Sequence, residues 1–491
     1  MNRLFARKQV SQLLAEAGES EKGLKKTLSA IALISLGIGA IIGAGLFVQT
    51  ANAAAHQAGP AVTIAFVIAA LGCAFAGLCY AELSSSIPIS GSAYTYTYAT
   101  MGELAAWIIG WDLVLEYAVG AATVGIAWSE YLNNFLVEIM HAKPIPYEWC
   151  HSPFQVSKEG VRGIMNVPAL GIVTAISFLL IRGIQESAFV NNLVVVLKVS
   201  IVLMLIIFGW SYINPLNHDP YIPEATVYVD HQGVLHQFGG WMGILGAAGT
   251  VFFAFIGFDA VSTAAQETKN PKTAMPIGII GSLLICTLLY VLFAHVLTGL
   301  VPLEFFRDPA RGGEASVSAA ITEAMPDKSW LSKSVTVAIL AGFSSVILVM
   351  LMGQSRVFYS MSRDGLLPAA FSQLHPKYKT PYKGNLIILL LVALFAAFVP
   401  GHVVGHMTSI GTLFAFSLVC IAVIVLRKKA PDLERKFKVP FVPVLPIIGV
   451  LICVAMMYGL GADNWLRLGV WLFIGFIIYF GYGRKHSKLN R

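Results

Sequence analysis

The sequence predicts an all-α polytopic membrane protein with about twelve transmembrane helices. Composition, segmentation and charge distribution each point there. Hydrophobic residues make up 57% and charged residues 12% of the 491, and mean hydropathy is +0.73. A soluble core does not need that much apolar surface. The apolar residues fall into stretches close to the roughly 20 residues that a bilayer crossing needs: 30–55, 60–86, 104–132, 167–181, 188–211, 241–264, 276–301, 331–357, 384–400, 403–426, 443–462 and 465–483. If the N-terminus is inside and there are twelve spans, the inside segments carry 24 Lys and Arg, the outside segments carry 8, and Lys198 is the remaining one of the 33. This asymmetry follows the positive-inside rule and predicts cytoplasmic termini in a cell membrane. The net charge of +7 therefore reflects orientation rather than a nucleic-acid partner. The clusters Lys22/Lys25/Lys26, Arg427–Lys429, Arg435/Lys436/Lys438 and Arg484/Lys485/Lys488 are also able to touch anionic lipid.

Residues 1–29 form a polar tail with no short apolar core and cleavage site, so the first span is expected to stay uncleaved. Residues 30–211 hold the first five spans, with the fourth short. A second five-span set begins at 241, runs to 400 and extends to 426. Two further helices occupy 443–483, and 484–491 is a short tail. The longest loops, near 133–166, 212–240 and 302–330, are too short for cores of their own. Cys73, Cys79, Cys286, Cys420 and Cys453 fall in spans and Cys150 in a loop, which is no disulfide framework. No phosphate-cradling loop, HExxH, GxSxG or metal-ligand cluster occurs, so neither an ATP-driven pump nor an enzyme is indicated and no cofactor is expected.

The first span carries GIGAIIGAGLF, Gly37 to Phe47, with four glycines in nine residues. Each glycine costs about 1 kcal/mol relative to alanine in a helix interior. A Gly-x-x-x-Gly packing face accounts for Gly39 and Gly43, but not for Gly37 and Gly45. The sixth span, first of the second set, reads GAAGTVFFAFIGFDAVSTAAQE, with Gly257 in mid-span and Asp259 after it. Interrupted helices at matching positions in two halves point to a transporter site built on inverted repeats. Backbone freed at that depth must line a cavity or be buried in protein. Half-helix N-termini favour an anion and free carbonyls favour a cation. Together they suit a zwitterion, of which an α-amino acid is the simplest.

GIGAIIGAGLF (37–47), YAELSSSIPISGSAYTYTYATMGELAAWIIGWDLVLEY (80–117), VFFAFIGFDAVSTAAQETKNPKTAMPIGI (251–279) and QSRVFYSMSRDGLLP (354–368) resemble the amino acid–polyamine–organocation superfamily. Within it they resemble bacterial members of the cationic amino acid transporter family. The resemblance implies a five-plus-five inverted repeat of the leucine-transporter type with two extra C-terminal helices. It also implies a pocket. Ile41 would offer a carbonyl to the substrate amine, and Ala44 and Gly45 would offer N–H groups to the carboxylate. Gly43 would keep the backbone accessible. Phe253, Ala254 and Ile256 would offer carbonyls, with Phe253 closing over the substrate. Some relatives carry Ser or Thr at the position of Ala44, where this chain has no hydroxyl.

Lys198 is the eleventh residue of Ala188–Trp210, about 15 Å from either end. Snorkelling works near helix ends and fails at this depth. A lysine held away from water releases its proton more readily, so Lys198 is the candidate proton-coupling residue. Proton-coupled relatives with a lysine at this position support that reading. The rival is sodium coupling through Ser344 and Ser345. A lysine ammonium would occupy the sodium position and exclude it.

Asp112 and Glu116 are four apart on one face of span three. Glu116 is a candidate pocket residue able to attract a cationic side chain. It is equally placed to be a partner within the bundle. Asp259 is expected to accept local N–H bonds, His295 to be a packing residue, and Glu82 and Glu103 to organise the loop between spans two and three. Tyr94–Tyr98 reads as an interfacial aromatic patch. The lining Ile41, Ala44, Phe253 and Ile347 is apolar and small, which favours neutral over cationic amino acids. The expected partners are an L-amino acid, protons and membrane lipids, and an accessory subunit is left open. The preferred reading is a proton-coupled symporter. An amino acid exchanger, an Arg/Lys transporter, a sodium symporter and a non-transporting sensor are the alternatives.

Overall fold

The computed structural model describes residues 6–8, 28–87, 92–157, 159–183, 188–229, 235–265, 268–308 and 316–490. Most of the 1–29 tail, with Lys22, Lys25 and Lys26, lies outside the described residues. Helices dominate because each apolar stretch must satisfy its own backbone in lipid. Eight helical runs among the described residues are long and apolar enough to cross a membrane, and four shorter apolar helices accompany them.

The order is as follows. The first span opens with α1 (Ala30–Ile41), capped by the Ser29 hydroxyl, which accepts from the Ala32 N–H. It then breaks and resumes through π turns at Gly45–Gln49 and Ala54–Ala58. Next come α2 (Val62–Ser86), α3 (Ser92–Thr100) and α4 (Glu103–Val114). A π turn, Leu115–Val119, leads into α5 (Gly120–Asn134). The short fourth span is α6 (Val167–Ile181), capped by Asn166, and α7 (Ala188–Gly209) is the fifth. The sixth consists of α8 (Gly240–Val251), a 3₁₀ turn at Phe252–Phe255 and the stub α9 (Ala260–Thr263). Then follow α10 (Pro271–Leu300), a loop helix α11 (Ser316–Ala324) and α12 (Ser329–Arg363). The chain closes with α13 (Tyr382–Phe398), α14 (Gly401–Lys429), α15 (Val444–Gly459) and α16 (Ala462–Ile478).

The sequence reading missed the hairpin in the loop before α8. There β1 (Thr226–Val229) pairs antiparallel with β2 (Leu235–Phe238), Thr226 opposite Phe238. Four-residue strands outside any core leave little periodicity to read.

The core is centred on the two broken spans. α10 packs against α1 and α2, α12 packs against α5 and α7, and α14 and α15 lie together. The last helix docks through aromatics: Trp471 stacks on Trp111 at 4.7 Å, and the Trp107 indole donates to the Gly475 carbonyl at 3.0 Å. Both ends of the chain reach one node. Lys8 Nζ lies 2.7 Å from Asp364 Oδ1, the Lys488 N–H donates to the Asp364 carbonyl at 3.0 Å, and the Ser487 hydroxyl donates to Glu103. Residues 6–8 and 487–488 therefore share one face of the molecule.

Candidate substrate and proton site

The glycine run breaks the first span where the sequence is weakest. α1 ends at Ile41, and Ile42 is extended, with φ −71° and ψ 104°. In the sixth span the helix tightens at Phe252–Phe255 and then opens at Ile256, with φ −59° and ψ 135°. Gly257 follows at φ +113°, a conformation that L-residues with side chains rarely adopt. Its chain neighbours could not turn back into α9 without it.

The two breaks face each other. A β-carbon on Gly45 would stand 2.1 Å from the Ala254 Cα, and one on Gly257 would stand 2.9 Å from the Ala40 carbonyl oxygen. A β-carbon on Gly43 would meet the Val346 side chain at 3.2 Å. Ile41, Ala44, Phe253, Ala254, Ile256 and Ile347 are all buried. So the backbone around Gly45 and the backbone from Ala254 to Gly257 come together, with the two spans closed on one another.

A residue the sequence reading passed over holds that closure. The Tyr290 hydroxyl of α10 stands 2.9 Å from the Ile41 carbonyl oxygen and 2.9 Å from that of Ala254. A hydroxyl has one proton, so it donates to one carbonyl at a time. These are two of the carbonyls expected to meet a substrate amine. The signal was a tyrosine in mid-span, because a buried phenol needs a partner. Tyr131 does the same elsewhere, donating to the Phe47 carbonyl at 3.3 Å.

Lys198 reaches the first break from α7. It is 1% exposed, and its Nζ donates to the Gly39 carbonyl at 2.8 Å. Gly342 of α12 leaves room for its stem, since a β-carbon there would meet Lys198 Cε at 2.7 Å. Ser344 donates back to the Leu340 carbonyl at 2.9 Å, which is ordinary local bonding within a helix. Ser345 is buried.

An amino acid permease family model matches residues 28–481. The chain belongs to the amino acid permease family. It is similar to a branched-chain amino acid permease of Bacillus subtilis, 46% identical over 99% of both chains. It is also similar to a methylthioribose transporter of the same organism, 42% identical over the full length of both. A vacuolar cationic amino acid transporter of Arabidopsis thaliana matches at 28% identity over all of this chain and 97% of its own. The permease is thus a multi-pass membrane transporter in a family of amino acid carriers, not an enzyme.

The acidic residues of this permease gather beside the sixth-span break. Glu116 sits on the π turn of span three, an irregularity that often marks a functional place in a helix. Its carboxyl lies against that of Asp259. Asp259 accepts the Tyr117 hydroxyl and makes no side-chain cap bond to α9. In place of the expected local N–H bonds, Asp259 is tied to span three. Asp112, Glu116 and Asp259 are all fully buried.

Two further expectations need correction. Tyr94–Tyr98 is not an interfacial patch. It lies in α3, and Tyr94, Tyr96 and Tyr98 are at most 1% exposed. Protein partners satisfy two of these phenols instead of headgroups: Tyr94 donates to Asp364 at 2.8 Å and Tyr98 to Glu103 at 3.0 Å. Glu82 and Glu103 organise more than their own loop. Glu82 takes Arg427 in two bonds, at 2.9 and 2.6 Å, and the Val439 N–H at 2.7 Å. Glu103 also accepts from Tyr479 at 2.9 Å. His295 fits its expected packing role, with its ring 4.6 Å from that of His218 and 5.6 Å from that of Trp210.

Proposed function

We propose that this permease imports small or medium-sized neutral L-amino acids by proton symport with alternating access. In this reading its helices form twelve spans in a five-plus-five inverted repeat with two more at the C-terminus, and both termini lie in the cytoplasm. The observation that carries the reading is the contact of Lys198 Nζ with the Gly39 carbonyl, 2.8 Å away at the edge of the first break. A proton on Lys198 holds span five to the unwound segment. Losing that proton removes one donor hydrogen and the positive charge from the contact and loosens it. Proton release is in this way tied to rearrangement of the backbone that holds substrate. The bundle of spans one, two, six and seven then rocks against three, four, eight and nine.

The neutral substrate class is supported by the apolar side chains of Ile41, Ala44, Phe253 and Ile347. The relative at 46% identity being a branched-chain permease supports it further. Glu116 abuts Asp259 rather than standing as a free counter-ion, which weighs against Arg or Lys as substrate.

A second reading rests on the relative at 42% identity, a methylthioribose transporter. Methylthioribose has neither amine nor carboxylate, so it would use the carbonyls and N–H groups through hydroxyls. Radiolabelled leucine, alanine, arginine and methylthioribose offered to proteoliposomes under an inward proton gradient, without sodium, separate the readings. Gradient-driven leucine or alanine uptake is expected. Uptake only of arginine or of methylthioribose would replace the substrate class. Uptake only against preloaded amino acid would replace symport by exchange, and uptake only with sodium would move the coupling to Ser344 and Ser345.

A further inference from the structure

A groove unrelated to the central site opens where the N-terminal end of α10 meets the segment after α14. One wall is a single stripe of α10: Thr273, Ile277, Ile280, Gly281 and Leu284. These positions repeat at helical spacing, and Ile277 and Leu284 are 52% and 66% exposed. Gly281 provides the notch, bordered by the Ile34 side chain of α1. The mouth is cationic, with Lys272 on α10 and Lys436 and Phe437 opposite. The volume is about 460 Å³. Along the helix the stripe covers about 16 Å, close to the roughly 15 Å depth of one hydrocarbon leaflet.

We propose that this groove is a binding site for an anionic phospholipid of the cytoplasmic leaflet. The phosphate sits between Lys272 and Lys436, and an acyl chain lies along Ile277, Gly281 and Leu284. The ligand class follows from the pairing of the two surfaces. A basic mouth continuous with an apolar trench matches a molecule that is anionic at one end and hydrocarbon at the other. A second copy of this chain would have to bring an acidic group to the same mouth. The cytoplasmic assignment rests on the proposed orientation of the chain.

The site has a built-in competitor. Lys272 Nζ lies 3.0 Å from Glu434 Oε2, with the two side chains 42% and 68% exposed. An exposed pair of this kind adds little to stability. Its carboxylate does, however, occupy a lysine that the phosphate would use. Lipid role and structural role therefore predict opposite effects for one substitution. Glu434→Gln should strengthen retention of anionic lipid, whereas loss of a structural bridge could only weaken the fold.

The experiment is native mass spectrometry of the intact permease released from vesicles of phosphatidylcholine with phosphatidylglycerol, read as bound lipid per protein. Wild type is expected to retain phosphatidylglycerol over phosphatidylcholine. The double variant Lys272→Gln/Lys436→Gln should lose that preference, by about fivefold per lysine, and Glu434→Gln should raise it. Equal retention of the two lipids by wild type would overturn the site. So would an unchanged preference in the double variant, or a fall in Glu434→Gln. Dimerisation of wild type without retained lipid would assign the groove to a second copy instead.

Discussion

At Gly45 a single methyl group decides whether the two breaks can meet. Its carbon would stand 2.1 Å from the Ala254 Cα, and backbone cannot step aside as a side-chain tip can. Gly45→Ala is expected to destabilise the permease by about 1–3 kcal/mol or more through overpacking and to abolish uptake. Gly171→Ala on α6 is the control, since nothing lies within 4 Å of its β-carbon position. It should keep full uptake and gain up to about 1 kcal/mol of helix stability. Thermal unfolding in detergent and transport in vesicles check both, and normal uptake by Gly45→Ala would mean the breaks do not close this way. The same scale holds the coupling prediction. Lys198→Ala should retain substrate binding yet lose the stimulation of uptake by external acid. If the variant keeps the wild-type pH profile, the proton is carried elsewhere.

Among elements, α10 has the most to say about the broken spans, through Tyr290. Its hydroxyl donates to one or the other of the Ile41 and Ala254 carbonyls that the proposed site offers to an amine. Tyr290→Phe removes the competitor without changing ring packing. One hydrogen bond is worth about 0.5–1.5 kcal/mol net, so substrate is expected to bind about two- to tenfold more tightly. Equilibrium binding of labelled leucine measures this, and weaker binding would show that the phenol belongs to the bound state. The breaks themselves were legible in the sequence, because glycine in mid-helix is costly and local composition records it. Lys198 was legible for the same reason, as an ionisable residue at a depth that tolerates few. Tyr290, Tyr117 and the buried Tyr94–Tyr98 run were not. A tyrosine suits a membrane interface and a polar-lined interior equally, and only the partner decides. Asp364 and Glu103, the partners that bury Tyr94 and Tyr98, are respectively 270 and 5 residues away in sequence.

For the whole molecule, charge and geometry meet at the two chain ends. Lys8 and Lys488 both reach Asp364, so the ends share a face, which requires an even number of crossings between them. In the proposed orientation, the excess of Lys and Arg on the segments of that face puts it in the cytoplasm by the positive-inside rule. All six native thiols are buried, so a membrane-impermeant maleimide should find little to modify on wild-type cells. Glu159, in the loop before α6, and Lys485, near the C-terminus, are both exposed. In intact cells Glu159→Cys is expected to be labelled and Lys485→Cys to stay unlabelled until the membrane is opened. The reverse pattern would invert the permease. Lys198 would then pass its proton outward, and the groove at Lys272 and Lys436 would face the outer leaflet. Labelling of both variants in intact cells would break the odd count of crossings, spans four to twelve, that separates residues 159 and 485, and with it the twelve-span reading that places the two five-span sets in opposite senses across the membrane.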